Sequence, residues 1–209
     1  MFYTIGNKLF RKYDNEILCI EPWGKNSFRV RSTPYGSIPQ YENALTEEIK
    51  SNEADIKIFQ ELNEAEIING NIKAYVTNRN RIVFKNSKDE ILLEEYIRER
   101  AVANDMGNED VSVKSITGFS CTLKLRAREF TPSLNGDYKL TQRFESAPNE
   151  KIFGMGQYQQ SFLDLKYCKL ELAHRNSQLT VPFYISNKNY GFLWNNPGIG
   201  EVNFAKNIT

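Results

Sequence analysis

The sequence predicts an all-β protein, an antiparallel β-sandwich, on three observations. Roughly a dozen short apolar runs alternate with polar positions, clusters of Asn, Asp, Gly and Pro separate them, and no stretch sustains the long amphipathic period of a helix. An alternating βα architecture would place such helices between the strands. Short strands with one wet face and tight turns instead stack as sheets packed face to face.

Leu9–Tyr13, Ile17–Pro22 and Phe28–Ser32 read as a three-stranded meander, turned at Asp14-Asn15 and at Gly24-Lys25-Asn26. Within Phe28–Ser32, Arg29 and Arg31 share one face while Phe28, Val30 and Ser32 share the other, which sends the arginines to solvent. Thr33–Asp55 is polar, contains two prolines, and reads as a connection. Ile56–Gln60, Ala65–Asn69, Ile72–Thr77 and Arg81–Asn86 resume the strand rhythm. Their breaks at Asn63-Glu64, Asn69-Gly70-Asn71 and Asn78-Arg79-Asn80 supply residues that tolerate positive φ.

Lys88–Arg100 fits helical spacing as well as it fits a strand, and its flanking strands favour strand. Residues 101–118 are polar and featureless, and read as a mobile loop. Cys121–Arg128 then alternates cleanly, with Cys121, Leu123, Leu125 and Ala127 opposite a solvated row of Thr122, Lys124, Arg126 and Arg128. After a turn at Pro132–Asp137, Tyr138–Phe144 alternates again. Gly154-Met155-Gly156 reads as a glycine-permitted turn at a strand end. Gln159 stands where a dinucleotide fingerprint needs its third glycine, and no helix follows.

Composition narrows the function classes. Lys and Arg total 27 against 26 Asp and Glu, a net charge of +1, so no global field draws the protein to nucleic acid or to an anionic membrane. No run approaches the roughly 18 apolar residues of a membrane span, and the N-terminal residues show no apolar leader, so the expected location is cytoplasmic. A chain of 209 residues suits one sizeable domain with a single core. Cys19, Cys121 and Cys168 are odd in number and lack a C-x-x-C pattern, which reads as three buried thiols rather than a zinc site or a disulfide framework. A single histidine with scattered carboxylates makes no metal-ligand cluster, and no cofactor motif is present.

His174, that one histidine, reads as a surface side chain rather than a general base. Asp164, Glu171 and Glu201 are not spaced as the reacting pair that glycoside hydrolysis requires, and read as solvated charges. No catalytic residue is nominated. The segment His174-Arg175-Asn176-Ser177-Gln178 differs in kind: five hydrogen-bonding side chains lie between a strand at Leu170–Ala173 and the apolar run beginning at Val181. Such a loop suits a hydroxyl-rich ligand such as a sugar, and an ordinary polar β-turn fits the same residue types.

Several words of the chain, in order, resemble the N-terminal domain of glycoside hydrolase family 31, whose members include α-glucosidases and α-xylosidases. They are IFGMGQYQQ, LDLK, LELAHRNSQ, VPFYIS and NYGFLWNNPGIG, with CIEPWGKNSFRVR, ILLEEYIRER and LRAREFTPSLNGDYKLTQRFES upstream. The resemblance implies a galactose-mutarotase-like sandwich, or supersandwich, in agreement with the strand reading. It also implies that residues 1–209 are the N-terminal β-sandwich of a larger retaining glycosidase, ending before its last strands. The catalytic aspartates would then lie on a following (β/α)8 barrel.

In this family the sandwich braces the barrel and extends a loop over the sugar pocket. By resemblance that loop is HRNSQ, with Asn176 facing substrate where some members carry Asp, and with Arg175 and Gln178 as further contacts. Phe192 and Trp194 are expected in the core. The implied partners are the parent chain's barrel and an α-linked oligosaccharide or xyloside. The cut edge and its apolar surface are expected to promote self-association. A free-standing carbohydrate-binding or interaction sandwich is the alternative. A mutarotase is disfavoured, because proton transfer at the anomeric carbon in those enzymes uses histidine with a carboxylate, and one histidine leaves that set incomplete.

Overall fold

The computed structural model describes residues 1–39, 45, 54–98, 125–134 and 136–206, and every regular element among them is a β-strand. All strand pairs are antiparallel. The chain divides into two compact units, Met1–Gln40 with Ile49–Glu145, and Tyr41–Glu48 with Ser146–Thr209.

In the first unit, β1 (Phe2–Ile5), β2 (Lys8–Tyr13), β3 (Glu16–Pro22) and β4 (Phe28–Thr33) form a four-stranded meander. A second meander holds β5 (Asp55–Phe59), β6 (Glu64–Asn69), β7 (Ile72–Val76), β8 (Ile82–Asn86) and β9 (Ile91–Glu94), and β10 (Arg128–Pro132) pairs with β11 (Tyr138–Gln142). Asp14, Asn26, Asn63, Asn80 and Asp89 take positive φ at the turns, where a short side chain able to bond locally offsets the steric cost. Phe2, Leu9, Leu18 and Ile20 from the first sheet meet Ala65, Ile67, Ala74, Val76 and Ile82 from the second, so the two sheets form a sandwich. Each fully buried Leu or Ile there contributes about 2 kcal/mol. Turn chemistry also joins the sheets: buried Asn69 donates to the Gly24 and Ser27 carbonyls, both at 2.8 Å, while Asn26 accepts the Asn71 N–H at 2.7 Å.

Two sequence expectations for arginine invert here. Arg128, assigned to a solvated row, is buried together with its neighbour Ala127. Its guanidinium donates to Glu16, to Glu95 and, at 2.7 Å, to the Asn80 carbonyl. Burial alone would pull its pKa down; the two carboxylates outweigh burial and push it above its ordinary value. Arg29 and Arg31 are half-buried while Val30 is exposed. Buried Glu21, opposite Arg29 across the ladder, explains this, since Arg31 approaches its carboxylate to 2.9 Å and Lys8 to 2.5 Å. A carboxylate out of water must draw cations onto itself.

Lys88–Arg100 is strand-like over its described part, through β9 and through single bridges from Glu95 to Phe144 and from Arg98 to Leu125. The expected loop at 101–118, residues 121–124 of the expected strand, and Cys121 itself lie outside the described residues. Cys19 is fully buried, and burial first, then Glu21, pushes its thiol up to about 11. Cys168 is half-buried.

The second unit contains β12 (Ile152–Gln157), β13 (Lys169–Leu172), β14 (Leu179–Ser186), β15 (Tyr190–Leu193) and β16 (Gly200–Asn203). They form a three-stranded sheet in the order β12-β14-β15 and a two-stranded ribbon, β13-β16. Ile152, Met155, Leu165, Leu170, Tyr184 and Phe204 make its core, so the buried side chains form two clusters where composition predicts one. Tyr184 stacks on Phe192 at 5.3 Å and meets Phe204 edge-on at 5.4 Å.

Gly154-Met155-Gly156 is not a turn at a strand end. It is an irregularity inside β12, where the register against β14 shifts. All three residues have positive φ, and the kink turns Met155 into the core although alternation would place it outside with Phe153 and Gln157. A Cβ on Gly154 would meet the Phe183 carbonyl oxygen at 2.6 Å, and one on Gly156 the Leu179 carbonyl oxygen at 2.3 Å.

Candidate functional site

Between the end of β13 at Leu172 and the start of β14 at Leu179 the chain reverses in a tight turn. Arg175 and Gln178 exchange both backbone hydrogen bonds, each at 3.2 Å, which leaves Asn176 and Ser177 at the tip. Both are exposed. Among the described residues the side chains of Asn176, Ser177 and half-buried Gln178 make no hydrogen bond or ion pair, so their donors and acceptors are free for a ligand.

The base of the turn is braced. Thr180 Oγ1 donates to the Ala173 carbonyl at 2.9 Å and lies 2.8 Å from the Tyr158 hydroxyl, which donates to the Glu171 carbonyl at 2.9 Å. The Thr180 N–H donates to His174 Nδ1 at 3.3 Å, a role that requires Nδ1 to carry no proton. His174 therefore steadies the loop, and among the described residues its exposed ring has no nucleophile bonded to it. Arg175 is already engaged: its Nε reaches Glu171 Oε2 at 3.0 Å and its Nη2 reaches Glu171 Oε1 at 2.7 Å. That hydrogen bonding raises the Arg175 pKa. An exposed pair adds little stability, but this one fixes the guanidinium beside the strand rather than at the tip.

A shallow, open depression lies along the turn, lined by His174, Arg175, Asn176, Ser177, Gln178 and Leu179, with Gln157 opposite. Gln157 is absent from the sequence-level candidates. It arrives because the irregularity in β12 sets it across from Leu179, a pairing that depends on residues more than twenty positions apart. The surface thus offers amide, hydroxyl and imidazole groups in a concavity open to water, a set able to bind sugar hydroxyls.

The carboxylates of the last third are engaged structurally rather than simply solvated. Asp164 Oδ1 accepts the N–H groups of Ile152 at 3.1 Å and of Lys166 at 3.0 Å. Glu171 holds Arg175, and Glu201 pairs with Lys169 at 2.8 Å across the β13-β16 ribbon. Glu171 and Glu201 are cross-strand partners in that ribbon, each held by its own cation, and among the described residues no carboxylate lines the depression, where two-carboxylate glycoside chemistry would need a pair. Phe192 and Trp194 are half-buried and near-parallel, 6.5 Å apart, and Phe192 belongs to the core stack on Tyr184.

Comparison with known proteins adds the context. Residues 17–203 match the family described as the glycosyl hydrolase 31 N-terminal galactose mutarotase-like domain. A family 31 glucosidase of Pseudescherichia vulneris is 44% identical over 202 residues, which is 97% of this chain and 37% of that protein. A family 31 α-xylosidase from a soil metagenome, solved in complex with xylose, is 46% identical with a TM-score of 0.85, over 99% of this chain and 29% of its own. The family 31 α-xylosidase of Xanthomonas citri, at 20% identity and a TM-score of 0.70, shares the fold over 94% of this chain and 19% of its own. The chain therefore spans little more than a third of the length of the curated relative.

Proposed function

Because the chain belongs to the glycosyl hydrolase 31 N-terminal galactose mutarotase-like domain family, we propose that it is the non-catalytic N-terminal sandwich of a retaining α-glycosidase. In this reading the chemistry resides on a catalytic barrel elsewhere in the parent polypeptide. The sandwich braces that barrel and supplies the Arg175–Gln178 turn as one wall of a pocket for an α-linked xyloside or glucoside. The observation that carries the reading is the turn itself, with an unengaged Asn176-Ser177 tip on a base fixed by Tyr158, Thr180 and the Arg175–Glu171 fork. Arg175 is a positioning residue here, and Asn176, Ser177 and Gln178 face the sugar.

The parent enzyme tests this directly. One neutral hydrogen bond to substrate contributes about 1 kcal/mol, or roughly fivefold in affinity. Asn176→Ala is expected to raise KM for an aryl α-xyloside or α-glucoside by about that factor, with kcat much less changed. The thermal midpoint should stay unaltered, since the exposed side chain makes no hydrogen bond or ion pair among the described residues. If Asn176→Ala and Ser177→Ala both leave KM at the wild-type value, the wall role is wrong. The 209-residue chain by itself is expected to hydrolyse neither substrate, and turnover that survives purification would contradict its non-catalytic assignment.

A further inference from the structure

The kink in β12 is costly, and the core does not require it. Met155, which is not a glycine, is held at φ 69° between Gly154 at 121° and Gly156 at 98°, and a Cβ on either glycine would strike the backbone of β14. Ordinary alternation from buried Ile152 would already turn residues 154 and 156 inward, so burying an apolar side chain there needs no kink. What the kink changes is register. Ile152, Phe153 and Gly154 pair with Ser186, Ile185 and Tyr184, whereas Gly156 and Gln157 pair with Thr180 and Leu179. Continued without the shift, the first pairing would set Gln157 opposite Val181, in an exposed apolar row with Phe183 and Ile185. The shift brings it two residues closer to the Arg175–Gln178 turn, about 7 Å at ~3.4 Å per residue, and sets it opposite the first residue of β14.

In that position Gln157 is exposed, and among the described residues its amide makes no hydrogen bond or ion pair. Side chains directly opposite on a ladder share one face, so the amide stands beside Leu179, itself 54% exposed, and both line the depression with Asn176 and Gln178. The charges nearby are already engaged: Arg175 is forked onto Glu171, and Glu201, across the ribbon from Glu171, pairs with Lys169. A carboxamide presents a donor and an acceptor side by side, the pattern that two adjacent hydroxyls of a sugar ring can meet. The exposed leucine next to it suits the C–H face of the same ring. We propose that Gln157 is a further substrate-contacting residue, a clamp for a vicinal diol of an uncharged sugar, and that the β12 kink delivers it to the pocket. The proposal rests on the reading of the Arg175–Gln178 turn as a pocket wall, and it adds a second wall carried by a different strand. Ladder hydrogen bonds hold the backbone of Gln157, whereas Asn176 and Ser177 sit at the tip of a reversing turn. Gln157 binds and orients; no proton and no bond is transferred through it.

Kinetics of the full-length enzyme on an aryl α-xyloside or α-glucoside, and on the monodeoxy analogues of that substrate, test the clamp. Gln157→Ala is expected to raise KM roughly five- to twenty-fivefold, the loss of one or two neutral hydrogen bonds, with kcat much less changed and the thermal midpoint unaltered. In the wild type, removing either hydroxyl of the clamped diol is expected to raise KM about fivefold. The same deoxygenation is expected to cost Gln157→Ala nothing further, a non-additivity that a residue acting only on stability does not produce. An unchanged KM in Gln157→Ala overturns the proposal, and so does a deoxygenation penalty equal in wild type and variant at every ring position. The wall reading beneath it has its own signature. If Asn176→Ala raises KM and Gln157→Ala does not, the clamp alone is wrong; if Asn176→Ala, Ser177→Ala and Gln157→Ala all leave KM at the wild-type value, the wall and the clamp fall together.

Discussion

Arg128 shows how a single side chain can be structural in a way its neighbours in sequence do not reveal. Its charge is buried against Glu16 and Glu95, which also accept from Ser32, Asn80, Gln142 and the Ile82 N–H, so all four carboxylate oxygens of the pair are hydrogen-bonded. Removing one partner leaves buried carboxylates uncompensated. Arg128→Ala is expected to destabilise the chain by about 3–5 kcal/mol in chemical denaturation, and Arg128→Lys should rescue little, because an ammonium lacks the planar fork that spans two carboxylates. Asp164 provides the pH counterpart. Burial raises its pKa, but the Ile152 and Lys166 N–H donors, with Lys151 and Lys166 nearby, bring it below the ordinary 3.8. A carboxyl group depressed on folding stabilises fully above its unfolded value, and that contribution is lost as pH falls through the folded one. The stability gap between wild type and Asp164→Asn, measured by urea denaturation, should therefore be widest near pH 6 and narrow progressively below pH 4. A gap that stays constant with pH would show that Asp164 acts through shape rather than charge.

Among the elements, the kink in β12 is the most sensitive point. Gly156 has φ near 98°, and a methyl group there would press on the Leu179 carbonyl. Gly156→Ala is expected to cost about 2–3 kcal/mol from backbone strain and the clash together, seen as a lowered denaturation midpoint with Met155 no longer protected from oxidation. An unchanged midpoint would mean that the kink relaxes freely. The elements were legible in sequence wherever neighbours decide them. β2 to β8 coincide with the short apolar runs between turn residues, and Asn63 and Asn80 mark their turns because they adopt the conformation the turn needs. Where long-range pairing decides, local signals failed. The short β1 was missed, Arg29 and Arg31 were sent to solvent by an alternation that ignores Glu21, and the two glycines of β12 read as a turn at a strand end because β14 is far away in sequence. The turn tip was legible as HRNSQ, whereas Gln157 and the Arg175–Glu171 fork were not, since both depend on what the fold sets alongside.

For the whole molecule, the exposed apolar face of the second unit is expected to dominate behaviour in solution. An isolated chain with that face bare is expected to self-associate as its concentration rises, and light scattering should show average mass climbing above 24.2 kDa. The pair Phe183→Ser and Ile185→Ser should return it to monomer, and a clean wild-type monomer across a wide concentration range would refute this. The first unit closes by a different route. Its two meanders are built from hairpins between neighbouring segments, yet the charge that lets Glu16 go dry arrives 112 residues later, on Arg128. On the ribosome, sheet β1-β4 and sheet β5-β9 are complete in sequence before that cation emerges from the exit tunnel. Until it does, Glu16 and Glu95 lack the cation that compensates them, so the two nascent sheets are expected to hold water at that seam until β10 has been synthesised.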